Sequence, residues 1–179
     1  LVPLVAFNLV LATLLTGGNE ELGWRGFALP HLQRRFGALT ASLLLGGLWA
    51  VWHVPMFVYG VYRLSPPLYA ASVISFSVVL TWYYNTSTGC VPGAMLLHGT
   101  LNAVVNVPAQ AVGGVDAVPM PYAAVLAGVF GVLATLLVVG YGSETLSPRT
   151  EVRPRWPTDG TAAGTPSATP SRDPHRMDP

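Results

Sequence analysis

Residues 122–141 form an apolar run without a single charged side chain. The hydrocarbon core of a bilayer takes about 20 such residues as a helix. Lipid offers backbone groups no hydrogen-bond partner, so only helices and closed barrels cross it. The run therefore predicts a transmembrane helix. Residues 38–59, 68–84 and 90–107 read the same way, separated by turns rich in glycine, proline and polar residues. Residues 2–16 make a shorter apolar stretch that ends at Gly17 and Gly18. Only 9% of the 179 residues are charged, where soluble domains carry roughly a quarter. The predicted fold class is all-α, a polytopic transmembrane helix bundle.

After Gly142 the composition changes to Pro, Thr, Ser, Arg and Asp. Such a segment cannot bury enough apolar surface to offset its ordering entropy. Residues 143–179 are read as a disordered C-terminal tail, and 1–142 as the membrane domain. The chain begins at Leu1, inside an apolar run and without a basic region and cleavage site, so a signal peptide is not expected. Further spans before Leu1 are.

All nine basic residues are arginines and the net charge is +1, which predicts no nucleic-acid partner. Cys90 is the single cysteine, too few for an intrachain disulfide or a Cys-based zinc site. Arg34 and Arg35 follow one helical segment, and Arg149, Arg153 and Arg155 follow the last span. An even number of spans separates the two groups, so they share a side. The positive-inside rule makes that side the cytosol, with the tail on it.

Charges at membrane depth are costly, and mark functional sites by default. Glu20, Glu21 and Arg25 lie between the apolar flanks 9–16 and 22–29. Asn19 before them reads as a helix N-cap. The sequence allows either one helix kinked at Gly17 and Gly18 or two helices broken there. Two further polar pairs sit in apolar spans: Trp49 with His53, directly before Pro55, and His98 with Asn102. All three places use the i, i+4 spacing that puts side chains on one helix face. Glu21 can thus pair with Arg25. Glu20 points about 100° away and is left to face a cavity.

Together these groups suit the addition of water to a carbonyl. A carboxylate in a partly dry site makes a general base, and Glu20 is the candidate. Glu21, held by Arg25, is its structural partner. His98 and Asn102 can donate to one oxygen as an oxyanion hole. His53 can orient the water or take a proton. No cofactor is expected on this reading. Zinc held by Glu20, His53 and His98 is the alternative, although the H-E-x-x-H helix is absent.

The motifs Glu20-Glu21-Leu22-Gly23-Trp24-Arg25, Trp49-Ala50-Val51-Trp52-His53 and His98-Gly99-Thr100-Leu101-Asn102 together resemble the CPBP family of intramembrane proteases, also called CAAX prenyl protease 2-like or Abi proteins. The family pattern is E-E-x-x-x-R, F-x-x-x-H and H-x-x-x-N in that order. Here Trp49 stands where the pattern usually has Phe. The resemblance implies that Glu20 activates water, that Glu21 and Arg25 accompany it, that His53 and His98 are the catalytic histidines, and that Asn102 stabilises the oxyanion. It implies an intramembrane endopeptidase acting on a membrane-associated or lipidated peptide in the cell membrane, near the cytosolic face. The rival readings are a catalytically silent scaffold of the same fold, a zinc protease using the same residues, and a proton-path or transport component. The pattern says nothing of oligomeric state.

Asn106 reads as an interhelical hydrogen-bonding residue. Trp82, Tyr83 and Tyr84 read as interfacial anchors.

Overall fold

A computed structural model of the chain describes residues 2–111 and 121–149, with side chains placed for 2–105 and 124–149. Among the described residues the regular structure is all helical, with no strand. The first helical stretch, Val2–Gln33, is long and apolar enough to cross a membrane. It is not a uniform α-helix. It passes from α1 (Val2–Leu11) through a π turn (Ala12–Thr16) to a break at Gly17, then a 3₁₀ turn (Gly18–Glu20), α2 (Glu21–Gly23), a second π turn (Trp24–Ala28) and α3 (Leu29–Gln33). Gly17 leaves helical geometry at φ −147°, ψ −47°. The outcome is one rod locally broken at the glycines. Asn19 is not its N-cap: Gly17 occupies that position, no side chain caps the turn, and Asn19 is exposed.

α4 (Ala38–Trp52) and α5 (Val54–Val58) form the next span, joined at His53. Pro55 lacks the N–H that would continue the helical ladder, and the chain turns one residue before α5 begins. α6 (Pro66–Thr86) and α8 (Pro121–Tyr141) are uninterrupted. The spans Ala38–Val58, Pro66–Thr86 and Ala124–Tyr141 are each long and apolar enough to cross a membrane. α7 runs Val91–Ala111, past Pro108, where the sequence predicts a loop. The Asn106 side chain and residues 112–120 lie outside the described ones.

α6 is the central element and packs against both α4 and α8, while α7 packs against α1 and the first π turn. Small residues allow these approaches. A Cβ on Gly46 would come within 2.8 Å of Ile74 Cα, and one on Gly99 within 2.6 Å of Thr13 Cα. The core has one cluster around Trp49, Val73, Phe76, Leu80 and Ala94, and a second around Leu29, Ala41, Leu45 and Tyr84. Tyr84 therefore faces inward and is not an interfacial anchor. Outside, Phe7, Val10, Leu15, Leu48, Val132 and Leu136 are exposed, as helices dissolved in lipid require.

Residues 143–149 differ from the disorder expected of the tail. Glu144 and Ser143 carbonyls accept from the Ala38 and Leu39 amides at 2.8 and 2.9 Å, and the Asn85 amide donates to the Thr145 carbonyl at 2.7 Å. Leu146 is fully buried in a cluster with Ala38, Val78 and Ala134, although its φ of 44° is unfavourable for a branched side chain. These contacts bring the end of α8 beside the start of α4, so Arg34, Arg35 and Arg149 share one end of the bundle. Residues 150–179 lie outside the described ones.

Candidate active site

Glu21 and Arg25 sit on the first stretch with no exposed surface at all. Arg25 Nη1 lies 3.1 Å from each Glu21 carboxylate oxygen. Its Nη2 donates to the Ser77 hydroxyl at 2.9 Å and the Ser77 carbonyl at 3.2 Å, and the Ser77 hydroxyl donates on to the Ser42 carbonyl at 3.0 Å. A buried ion pair is retained only when such extra bonds compensate its desolvation. Ser42 and Ser77 come from α4 and α6, so the pair ties the first stretch to the centre of the bundle.

Glu21 has a second partner that the i, i+4 reading did not anticipate. Its Oε1 lies 2.9 Å from His98 Nδ1. Arg25 is a pure donor, so Glu21 meets it as an acceptor and His98 donates from Nδ1. In the neutral ring Nε2 then carries the lone pair, and it becomes a donor only in the imidazolium. Nε2 points at Gly17. A Cβ built on Gly17 would lie 3.1 Å from His98 Nε2 and would collide with Asn102 Nδ2. The missing side chain at Gly17 is what makes room for both polar ends at one point. The sequence reading took this glycine only for a helix breaker.

Glu20 is half-buried. Its Oε2 accepts from the Trp49 indole N–H at 2.7 Å and from the Trp24 indole N–H at 3.3 Å. Among the described residues its other oxygen accepts no hydrogen bond. His53 Nδ1 lies 2.9 Å from the Trp49 carbonyl, which can only accept, so here too Nδ1 donates and Nε2 is left over. Tyr62 stacks on the His53 ring at 6.1 Å between centroids and Tyr69 meets it edge-on at 5.3 Å. Burial pushes the Tyr62 phenol up from its ordinary range, a hydrogen bond from Tyr69 draws it back, and the charge of Glu20 adds to the rise.

The structure thus puts Glu21, Arg25 and His98 in direct contact, and sets Asn102 beside His98 at Gly17. Glu20 and His53 share Trp49. Glu20 has no hydrogen bond to either histidine among the described residues. Sequence reasoning did not find Ser77, Ser42, Tyr62 or Tyr69, none of which stands in an i, i+4 pair with a charge. Among the described residues no three of His, Cys, Asp and Glu gather as metal ligands.

Along α4, Trp49 lies about 16 Å from Ala38, and along α7, His98 about 10 Å from Val91, at 1.5 Å per residue. The site is inside the bundle. The hydrogen-bonding ends left over among these residues are Glu20 Oε1, His53 Nε2, His98 Nε2 and Asn102 Nδ2, of which the last two meet at Gly17.

Residues 2–104 match the family model described as Rce1-like, type II CAAX prenyl endopeptidase. All six predicted site residues fall within that match. A CAAX prenyl protease 2 of Methanococcus maripaludis is 29% identical over 110 residues, covering 56% of this chain and 39% of the relative. The chain spans about two fifths of the length of the curated relative it matches. No solved structure matches.

Proposed function

This chain belongs to the Rce1-like family of type II CAAX prenyl endopeptidases, a multi-pass membrane protein, and we propose that it is an intramembrane endopeptidase in which Glu20 activates the attacking water. The observation that carries the reading is the meeting of His98 Nε2 and Asn102 Nδ2 at Gly17, with Glu21 binding His98 next to Glu20 in the chain. Water attacks the scissile carbonyl carbon as its proton passes to Glu20. The carbonyl π electrons move to oxygen, and the oxyanion lies at Gly17 between Asn102 and His98. His98 donates there as imidazolium, its charge facing that of the oxyanion, while Glu21 balances Arg25. Glu20 then gives its proton to the leaving nitrogen as the C–N bond breaks. His53, fixed through Nδ1, turns Nε2 to the water. Glu21, Arg25 and Ser77 hold His98 in place.

The reaction needs no metal and no cofactor. The substrate is a lipidated or membrane-tethered peptide, since the site sits at membrane depth. The end carrying Arg34, Arg35 and Arg149 faces the cytosol by the positive-inside rule.

The test is a cleavage assay on the protein in reconstituted membranes, comparing wild type with Glu20→Ala, each with and without chelator. Loss of a general base costs about 10²- to 10⁴-fold. Glu20→Ala should fall in that range, and chelator should leave the wild type unchanged. Equal product from both proteins would remove Glu20 as the base. Loss on chelation alone would move the chemistry to a metal. A wild type that cuts no peptide would favour a silent scaffold of the same fold.

A further inference from the structure

Trp49, the first residue of the second motif, touches Glu20, Arg25, His98 and His53. It is 3% exposed on α4, and its indole N–H, ring face and backbone carbonyl each meet a residue of the site. The indole N–H donates to Glu20 Oε2 at 2.7 Å. The Arg25 guanidinium carbon lies 5.2 Å from the ring centroid, over its face. The His98 ring meets it edge-on at 5.0 Å. Its carbonyl accepts from His53 Nδ1 at 2.9 Å. Four residues from three separate helical stretches are thus fixed relative to one indole. Packing alone asks only for a flat apolar ring here; the short hydrogen bond to a carboxylate asks for an N–H.

We infer that Trp49 is the positioning residue of the site, whose indole N–H fixes the Glu20 carboxylate through one oxygen and leaves the other for the attacking water. This inference rests on the reading of Glu20 as the base. Trp24 adds a weaker hold on the same oxygen, at 3.3 Å, from one turn along Glu20's own helix. A carboxylate held this way keeps one rotamer, and an atom placed within a fraction of an ångström is what a near-attack arrangement requires. A phenyl ring at the same position would keep an aromatic face toward Arg25 and His98, and would leave Glu20 with only the weaker hold of Trp24.

The experiment uses the full chain in lipid nanodiscs with two readouts. In the first, Trp49→Phe should lower kcat at least tenfold while KM stays within twofold, and Trp24→Phe should lower kcat less. Trp82→Phe, remote from the site, serves as the control and should behave as wild type. In the second, the protein carries ¹⁵N in its five tryptophan indoles, assigned by the same Phe variants. Glu20→Gln should move the Trp49 Nε1–H resonance most and that of Trp24 next, leaving Trp82 in place. Unchanged kcat in Trp49→Phe, or loss that falls on KM alone, would overturn the inference. So would a Trp49 resonance indifferent to Glu20→Gln. The second readout needs no turnover. If the wild type cleaves nothing, the proposed function fails by the first readout while the hold of Trp49 on Glu20 is still decided by the second.

Discussion

The stretch Val2–Gln33 and the helix α8 are both apolar enough to cross a membrane, yet they are built differently. α8 keeps one α-helical geometry from Pro121 to Tyr141. Its glycines Gly128, Gly131 and Gly140 face open space, with nothing within 4 Å of an added Cβ. The first stretch changes its hydrogen-bond pattern repeatedly, and its glycines Gly17 and Gly18 stand against Asn102, His98, Met95 and Thr13. α8 needs only to dissolve in lipid and cover α6. The first stretch must bury an ion pair, bring His98 to it and open a gap at Gly17. Irregular backbone at membrane depth is tolerated where protein covers it, and here the covering helix is α7. The contrast teaches that a glycine or a π turn in this molecule has meaning only through what lies opposite.

Four substitutions test that contrast. The largest effect is expected from Glu21→Gln, which leaves Arg25 buried without its counter-charge. Breaking such a pair costs about 3–5 kcal/mol, to be read as denaturation of the purified protein in detergent micelles. A variant as stable as wild type would mean that the pair does not hold the first stretch. Next is Gly17→Ala, whose methyl group would strike Asn102 and crowd His98. Overpacking of this kind costs about 1–3 kcal/mol, and cleavage should fall more steeply than stability because both proposed oxyanion donors are displaced. Ser77→Ala follows. It removes one acceptor from Arg25 while the Ser77 carbonyl remains, for a loss of about 1 kcal/mol in the same denaturation measurement. The smallest effect belongs to α8: Gly131→Ala should stabilise by up to about 1 kcal/mol, the helix-propensity difference, with cleavage unchanged. If Gly17→Ala and Gly131→Ala behaved alike, the distinction between the two spans would collapse.

Much of this was legible in the chain itself. Apolar run lengths located the spans at 38–59, 68–84 and 122–141 to within a few residues, because lipid admits such segments as helices; the first stretch, read as 2–16, runs on to Gln33. Three i, i+4 pairs picked out the residues proposed for the site because charged and imidazole side chains are costly at membrane depth. The pairing of Glu21 with Arg25 follows from helix geometry alone. Asn19 was misread because N-cap preference is a local signal, and the turn at Gly17 is set by the approach of α7. Tyr84 was misread because composition marks an aromatic cluster without saying which ring turns inward. Residues 143–149 depart from the expected tail because Leu146 packs on α4 and α6, far from it in sequence, as well as on neighbouring α8.

The sequence by itself determined an all-helical membrane protein and a short list of polar residues for its site, since both follow from the cost of polar groups in hydrocarbon. Which residue meets which was decided only by the packing of helices. His98 reaches Glu21 across 77 positions, Trp49 reaches Glu20 across 29, and Ser77 reaches Arg25 across 52. No periodicity encodes these separations. They exist because small residues at Gly17, Gly46 and Gly99 let the helices come close enough for side chains from different spans to share one buried space.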